Sequence, residues 1–79
     1  MKLFTAFTMF FHSAEMRLAD KQRAGWSGWN KLSTRTLKSR LLHNVEAGDW
    51  VDVANLAMFL WARRWRDENK AFSLRHRIS

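Results

Sequence analysis

The chain contains no cysteine and no proline, has no tyrosine, and holds only three glycines. Without cysteine there is no disulfide framework, no thiolate zinc site and no thiol nucleophile. Without proline, and with so little glycine, a turn-rich sandwich or barrel is disfavoured and no glycine-rich phosphate loop can be written. Acidic side chains are scarce too: seven Asp and Glu stand against fourteen Lys and Arg, a net charge of +7. No window approaches the roughly 20 apolar residues that a spanning helix needs. The apolar run of residues 3–11 is short and interrupted by Thr5 and Thr8. His12-Ser13-Ala14-Glu15 follows it with no small-x-small cleavage site, so it reads as a core helix rather than as a leader or a membrane-surface helix. Together these absences point to a cytoplasmic protein that does not enter the membrane.

What is present is apolar and aromatic: 47% of the 79 residues are hydrophobic, with five Trp and six Phe. That is too apolar for a disordered chain, and the length allows one domain, spanning 1–79, with a small core. Phe4, Phe7, Phe11, Ala14 and Leu18 recur at alternating three- and four-residue steps, which predicts a helix over 3–23. The alternation Leu3, Thr5, Phe7, Met9, Phe11 offers a strand up to His12 instead, with the helix starting at Ser13. Gly25 suits a left-handed cap at the helix end. The loop Gly25-Trp26-Ser27-Gly28-Trp29-Asn30 puts Trp26 and Trp29 either as a lid on the core or as a stacking surface for a base.

A second helix is expected from Ser33 or Thr34 to Gly48, with Leu37, Leu41, Leu42 and Val45 as its apolar face. Asp49 should cap a third helix, with Asp52 in its first turn, where carboxylates meet the positive end of the helix dipole. Its stripe would be Trp50, Val53, Ala54, Ala57, Leu60 and Trp61, and its end near Glu68. The connection at Gly48 is so short that the two helices must form an antiparallel hairpin. The fold class is therefore all-α: a small three-helix bundle, or a four-helix one if 69–79 forms a further short helix rather than a basic tail or a frayed extension of the third helix. Met9, Met16 and Met58 are expected to fill core gaps. Asn55, mid-helix among apolar residues, is expected to bond across to another helix rather than face a pocket. His12, His43 and His76 fall one to a segment, which gives no metal-ligand spacing.

The densest chemistry is the run Trp61, Arg63, Arg64, Trp65, Arg66, continued by Lys70, Arg75 and Arg77 against only Asp67 and Glu68. Arginine beside tryptophan suits cation–π pairing, acidic protein surfaces or phosphates. These residues, Arg63, Arg64, Trp65, Arg66, Lys70, Arg75 and Arg77, form the candidate binding surface.

Residues 16–64 carry Met16-x-Leu18-Ala19, Gly25-Trp26 with Trp29, Leu37, Arg40-Leu41 and Gly48-Asp49-Trp50-Val51-Asp52-Val53-Ala54-Asn55-Leu56-Ala57-Met58. This stretch resembles small phage-encoded relatives of the all-α, MazG-like NTP pyrophosphohydrolases. Its most specific piece is Asp52-Val53-Ala54-Asn55. The resemblance implies a Mg²⁺ site built from a Glu-x-x-Glu on one helix and a Glu-x-x-Asp on the next, with a metal-activated water attacking a phosphate. Asp52 matches the last acid and Asp49 stands at the preceding one. The first pair falls on Asn44 and Ala47, with His43 and Glu46 beside them, so Glu46, Asp49 and Asp52 are at most a vestigial metal site. No catalytic residue, no metal and no cofactor is assigned; Mg²⁺ would belong only to the enzyme alternative.

The expected function is that of a non-catalytic, phage-type accessory protein that binds a host protein complex in the host cytoplasm, as an inhibitor of a host defence system (anti-CRISPR-like) would. The alternatives are nucleic-acid binding through the basic C-terminal region and the Mg²⁺-dependent nucleotide pyrophosphohydrolase. Six Phe and five Trp in so short a chain also suggest homo-oligomerisation.

Overall fold

The computed structural model describes residues 1–26 and 31–78, with 70–78 described by their backbone alone. It is all-helical, with three helices: α1 Leu3–Arg23, α2 Thr34–Ala47 and α3 Trp50–Ile78. The first nine residues of α1 are helical although their Thr and Phe favour a strand. A lone strand there would have no partner for its backbone groups, whereas a helix pairs them within the segment. Among the described residues, no helix is long and apolar enough to cross a membrane.

Local chemistry sets the helix ends. Beyond α1, Gly25 takes φ 91°. Its N–H bonds to the Gln22 carbonyl, and the Trp26 N–H reaches back to Lys21. Gly48 repeats the arrangement after α2 at φ 72°, its N–H to Val45 and the Asp49 N–H to Asn44. Both are left-handed terminations that satisfy carbonyls a helix end leaves open. Ser33 caps α2 by accepting from the Thr36 N–H, and Asp49 caps α3 by accepting from the Asp52 N–H.

α3 does not stop near Glu68. It runs ten residues further, to Ile78, so of the alternatives for the tail the extension of the third helix holds, and not a separate fourth helix. No Gly or Pro stands between 69 and 78 to end it, and the Asn69 side-chain amide donates to the Trp65 carbonyl one turn back. At 29 residues α3 is about twice as long as α2, so the hairpin covers only its first half.

Leu37, Leu56 and Phe59 form the core, with Leu18, Trp26, Leu32, Leu41 and Leu60 packed against it. α2 lies along α3, and α1 crosses α3 at a close approach where Ala14 is buried beside Asn55. The expected stripe of the third helix is corrected here. The buried arc is Asn55, Leu56 and Phe59, whereas Trp50, Ala57 and Trp61 face outward. Trp61 is two residues past Phe59 and hence about 200° around the helix. Leu42 and Val45 on α2, and Met9, Met16 and Met58, are likewise exposed rather than core. With α1 packed chiefly on α3, no further element among the described residues covers them.

Candidate functional site

Three places gather the chemistry, and the hairpin end is the first. Asp49 and Asp52, three residues apart, turn their carboxylates to α1, where Arg17 and Lys21 sit one turn apart. Arg17 Nη1 donates to Asp49 Oδ1 at 2.5 Å and approaches Asp52 Oδ1 at 3.3 Å. Lys21 Nζ reaches Asp52 Oδ1 at 3.3 Å. The Asp52 backbone N–H and then the Arg17 guanidinium hold the Asp49 carboxyl below its ordinary range. The carboxylates hold Arg17 charged to a pH still higher than usual.

These donors do not fit a divalent ion. A hard cation needs several oxygens free to converge on it, but both acids are already engaged by cations. Glu46 is exposed on α2, and among the described residues no group of three His, Cys, Asp or Glu stands together. Arg17 and Lys21 were not singled out from the sequence. Their signal was available as two cations at i, i+4 on one helix, complementary to two acids at i, i+3 on another.

The second place is a cleft of about 510 Å³ where the end of α1 meets α2 and α3, bordered by Lys21, Trp26, His43, Asn44, Asp52 and Phe59. Trp26 acts as the lid: its ring stacks on Phe59 at 5.7 Å between centroids, and the Lys21 ammonium lies over it at 5.7 Å. Trp29 lies outside the described residues. Asn55 is buried, and its amide donates to the Ala14 carbonyl at 3.2 Å, the expected bond across to another helix.

The third is the outer half of α3. Arg63 Nη1 donates to Thr34 Oγ1 at 3.3 Å, at the first residue of α2; past this point α2 no longer runs beside α3. Trp61 and Trp65 are 65% and 55% exposed and border a shallow groove with Arg64 and Glu68. Arg64 pairs with Glu68 at 2.9 Å and Arg66 with Asp67 at 3.5 Å. Such exposed pairs contribute about 0–1 kcal/mol, so they open readily to another anion. The backbone of α3 carries Lys70, Arg75 and Arg77, whose side chains lie outside the described residues. By register, positions 63, 66, 70 and 77 fall within about 60° of one another around the helix.

Comparison with known proteins finds no family model, no curated protein and no solved structure that matches this chain at a significant level.

Proposed function

We propose that this chain is a non-catalytic accessory protein that works by binding another protein, through the outer half of α3 around Trp61 and Trp65. The observation that carries this reading is the exposure of both tryptophans beside Arg64, on an outward-facing arc of α3. Tryptophan and arginine are the residue types in which binding energy concentrates at protein interfaces. Here they form a preset helical ridge that loses little entropy on docking. The basic run Arg63, Arg64, Arg66, Lys70, Arg75, Arg77 favours a partner with an acidic surface. The resemblance of Asp52-Val53-Ala54-Asn55 to phage-encoded proteins supports a host protein complex as that partner, with inhibition of a host defence system as the proposed outcome.

A second reading is nucleic-acid binding along the register shared by positions 63, 66, 70 and 77, since phosphate neutralisation needs only charge. The Mg²⁺-dependent pyrophosphohydrolase is less well supported, because Arg17 and Lys21 hold the two acids the family site would use.

Capture of tagged protein from host lysate is expected to yield one stoichiometric partner, lost with Trp61→Ala/Trp65→Ala. Retention of the partner by the variant, or no partner for the wild type, would remove the reading. Binding to random duplex DNA that fades steeply with salt would favour the second reading. Pyrophosphate release from dNTPs with Mg²⁺, abolished by Asp52→Asn, would restore the third.

A further inference from the structure

The N-terminal half of α1 carries an apolar face that nothing in the described chain covers. Phe4, Phe7, Phe11, Ala14 and Leu18 alternate at three and four residues, the spacing at which two helices interlock their side chains. The last two are used within the chain: Ala14 is buried at the α3 crossing and Leu18 packs on the core cluster. The first three continue the same face outward, 79%, 65% and 60% exposed. The Phe7 and Phe11 rings stack on each other at 6.1 Å. A groove of about 470 Å³ opens between them and Ala54 and Met58 of α3.

We propose that this face is the seam of a homodimer, in which Phe4, Phe7 and Phe11 of one copy pack on the same residues and the α1–α3 groove of a second. Area is the first argument. A folded monomer of 9.4 kDa is expected to expose about 5,000 Å², whereas this chain exposes 6726 Å². The excess, about 1,700 Å², is shared between this face and the outer half of α3, and a standard interface takes roughly 800 Å² of it from each partner.

Charge is the second argument. The chain carries +7, so most of its surfaces repel a second copy. Residues 3–14 contain no Asp, Glu, Lys or Arg, and Glu15 is the one charged residue lining the groove, so two such faces meet with little like-charge repulsion.

Core size is the third. The buried apolar residues among those described are Ala14, Leu37, Leu56 and Phe59. That is a slender core for a domain of this length, and burying the phenylalanines against a partner couples folding to association. The seam lies on α1 and does not depend on the partner reading for α3.

Sedimentation equilibrium of the full chain tests this. The wild type is expected at about 19 kDa, twice the chain mass, and Phe7→Glu/Phe11→Glu at the single-chain mass. Both positions are exposed within one chain, so the variant removes the seam without opening its core. Trp61→Ala/Trp65→Ala is expected to stay dimeric, which separates this seam from the α3 surface. Where the glutamate variant fails to fold, the wild type alone decides: its thermal midpoint rises with protein concentration if folding is coupled to dimerisation. A wild type at the single-chain mass across its soluble range, with a concentration-independent midpoint, overturns the proposal. So does a single-chain wild type that binds neutral phosphatidylcholine vesicles through Phe7 and Phe11, which would make the face a lipid contact.

Discussion

Asn55 of α3 donates its side-chain amide to the backbone carbonyl of Ala14 of α1, 3.2 Å away, and both residues are buried. It is a buried polar bond between these two helices. Alanine at 14 lets the backbones approach, and the amide fixes where along α3 the crossing falls. Asn55→Ala is expected to cost about 1–3 kcal/mol, the range for losing a buried hydrogen bond. Asn55→Leu, similar in size and leaving no unpaired amide behind, is expected to cost less. Urea midpoints at one fixed protein concentration check this, and two variants indistinguishable from wild type would show that the bond contributes nothing.

The acid pair gives a pH dependence of definite sign. The carboxyl of Asp49 lies below its ordinary 3.8 when folded. Its stabilisation is therefore complete above about pH 3.8 and is lost as pH falls through the folded value. Asp49→Asn keeps a capping side chain but not the charge that Arg17 binds. The wild type is expected to be the more stable above pH 4, and the two to converge in stronger acid. The gap should also shrink with salt, since both partners are partly exposed. Thermal midpoints across pH and ionic strength provide the measurement, and a constant gap at all pH values would remove the ion pair from the account.

Leu37 is the one fully buried large side chain among the described residues, at the centre of the cluster with Leu56 and Phe59. Leu37→Ala is expected to cost about 2–5 kcal/mol. In a domain of this size that is most of its stability, so the variant should be largely unfolded by circular dichroism at 25 °C. Retention of full helicity with an unchanged midpoint would show that stability comes from elsewhere.

Gly48 turns the hairpin at φ 72°, and a methyl group there would meet nothing within 4 Å. The cost of Gly48→Ala is then backbone strain alone, about 1–2 kcal/mol. Gly48→Asn should lose less, because asparagine tolerates the left-handed conformation. Equal losses in the two variants would point to packing rather than to φ.

Local signals were legible where one residue's own chemistry decides. Gly25 and Gly48 marked helix ends because only a residue without Cβ turns there at little cost. Ser33 and Asp49 marked helix starts because a short acceptor side chain can reach a free N–H. The sequence put the end of α3 near Glu68 while leaving open that the tail extends it, since the charged run Arg64–Lys70 carries neither Gly nor Pro and so holds no clear stop. In the candidate site, Asp49 and Asp52 were visible as acids, but their engagement by Arg17 and Lys21 was not. That pairing joins residues more than thirty positions apart.

The sequence by itself determined that this chain is largely helical, where the second and third helices start, where the first two end, and that it is basic and aromatic. Those are properties of single residues and of 3.6-residue periodicity. Only the tertiary structure decided which face of each helix is used. α3 carries two apolar arcs, one through Leu56 and Phe59 and one through Trp50, Ala57, Trp61 and Trp65. Periodicity announces both arcs equally. α2 and α1 supply enough surface to bury one, and the one that pairs Leu56 and Phe59 with Leu37 goes inside, leaving the tryptophans facing out.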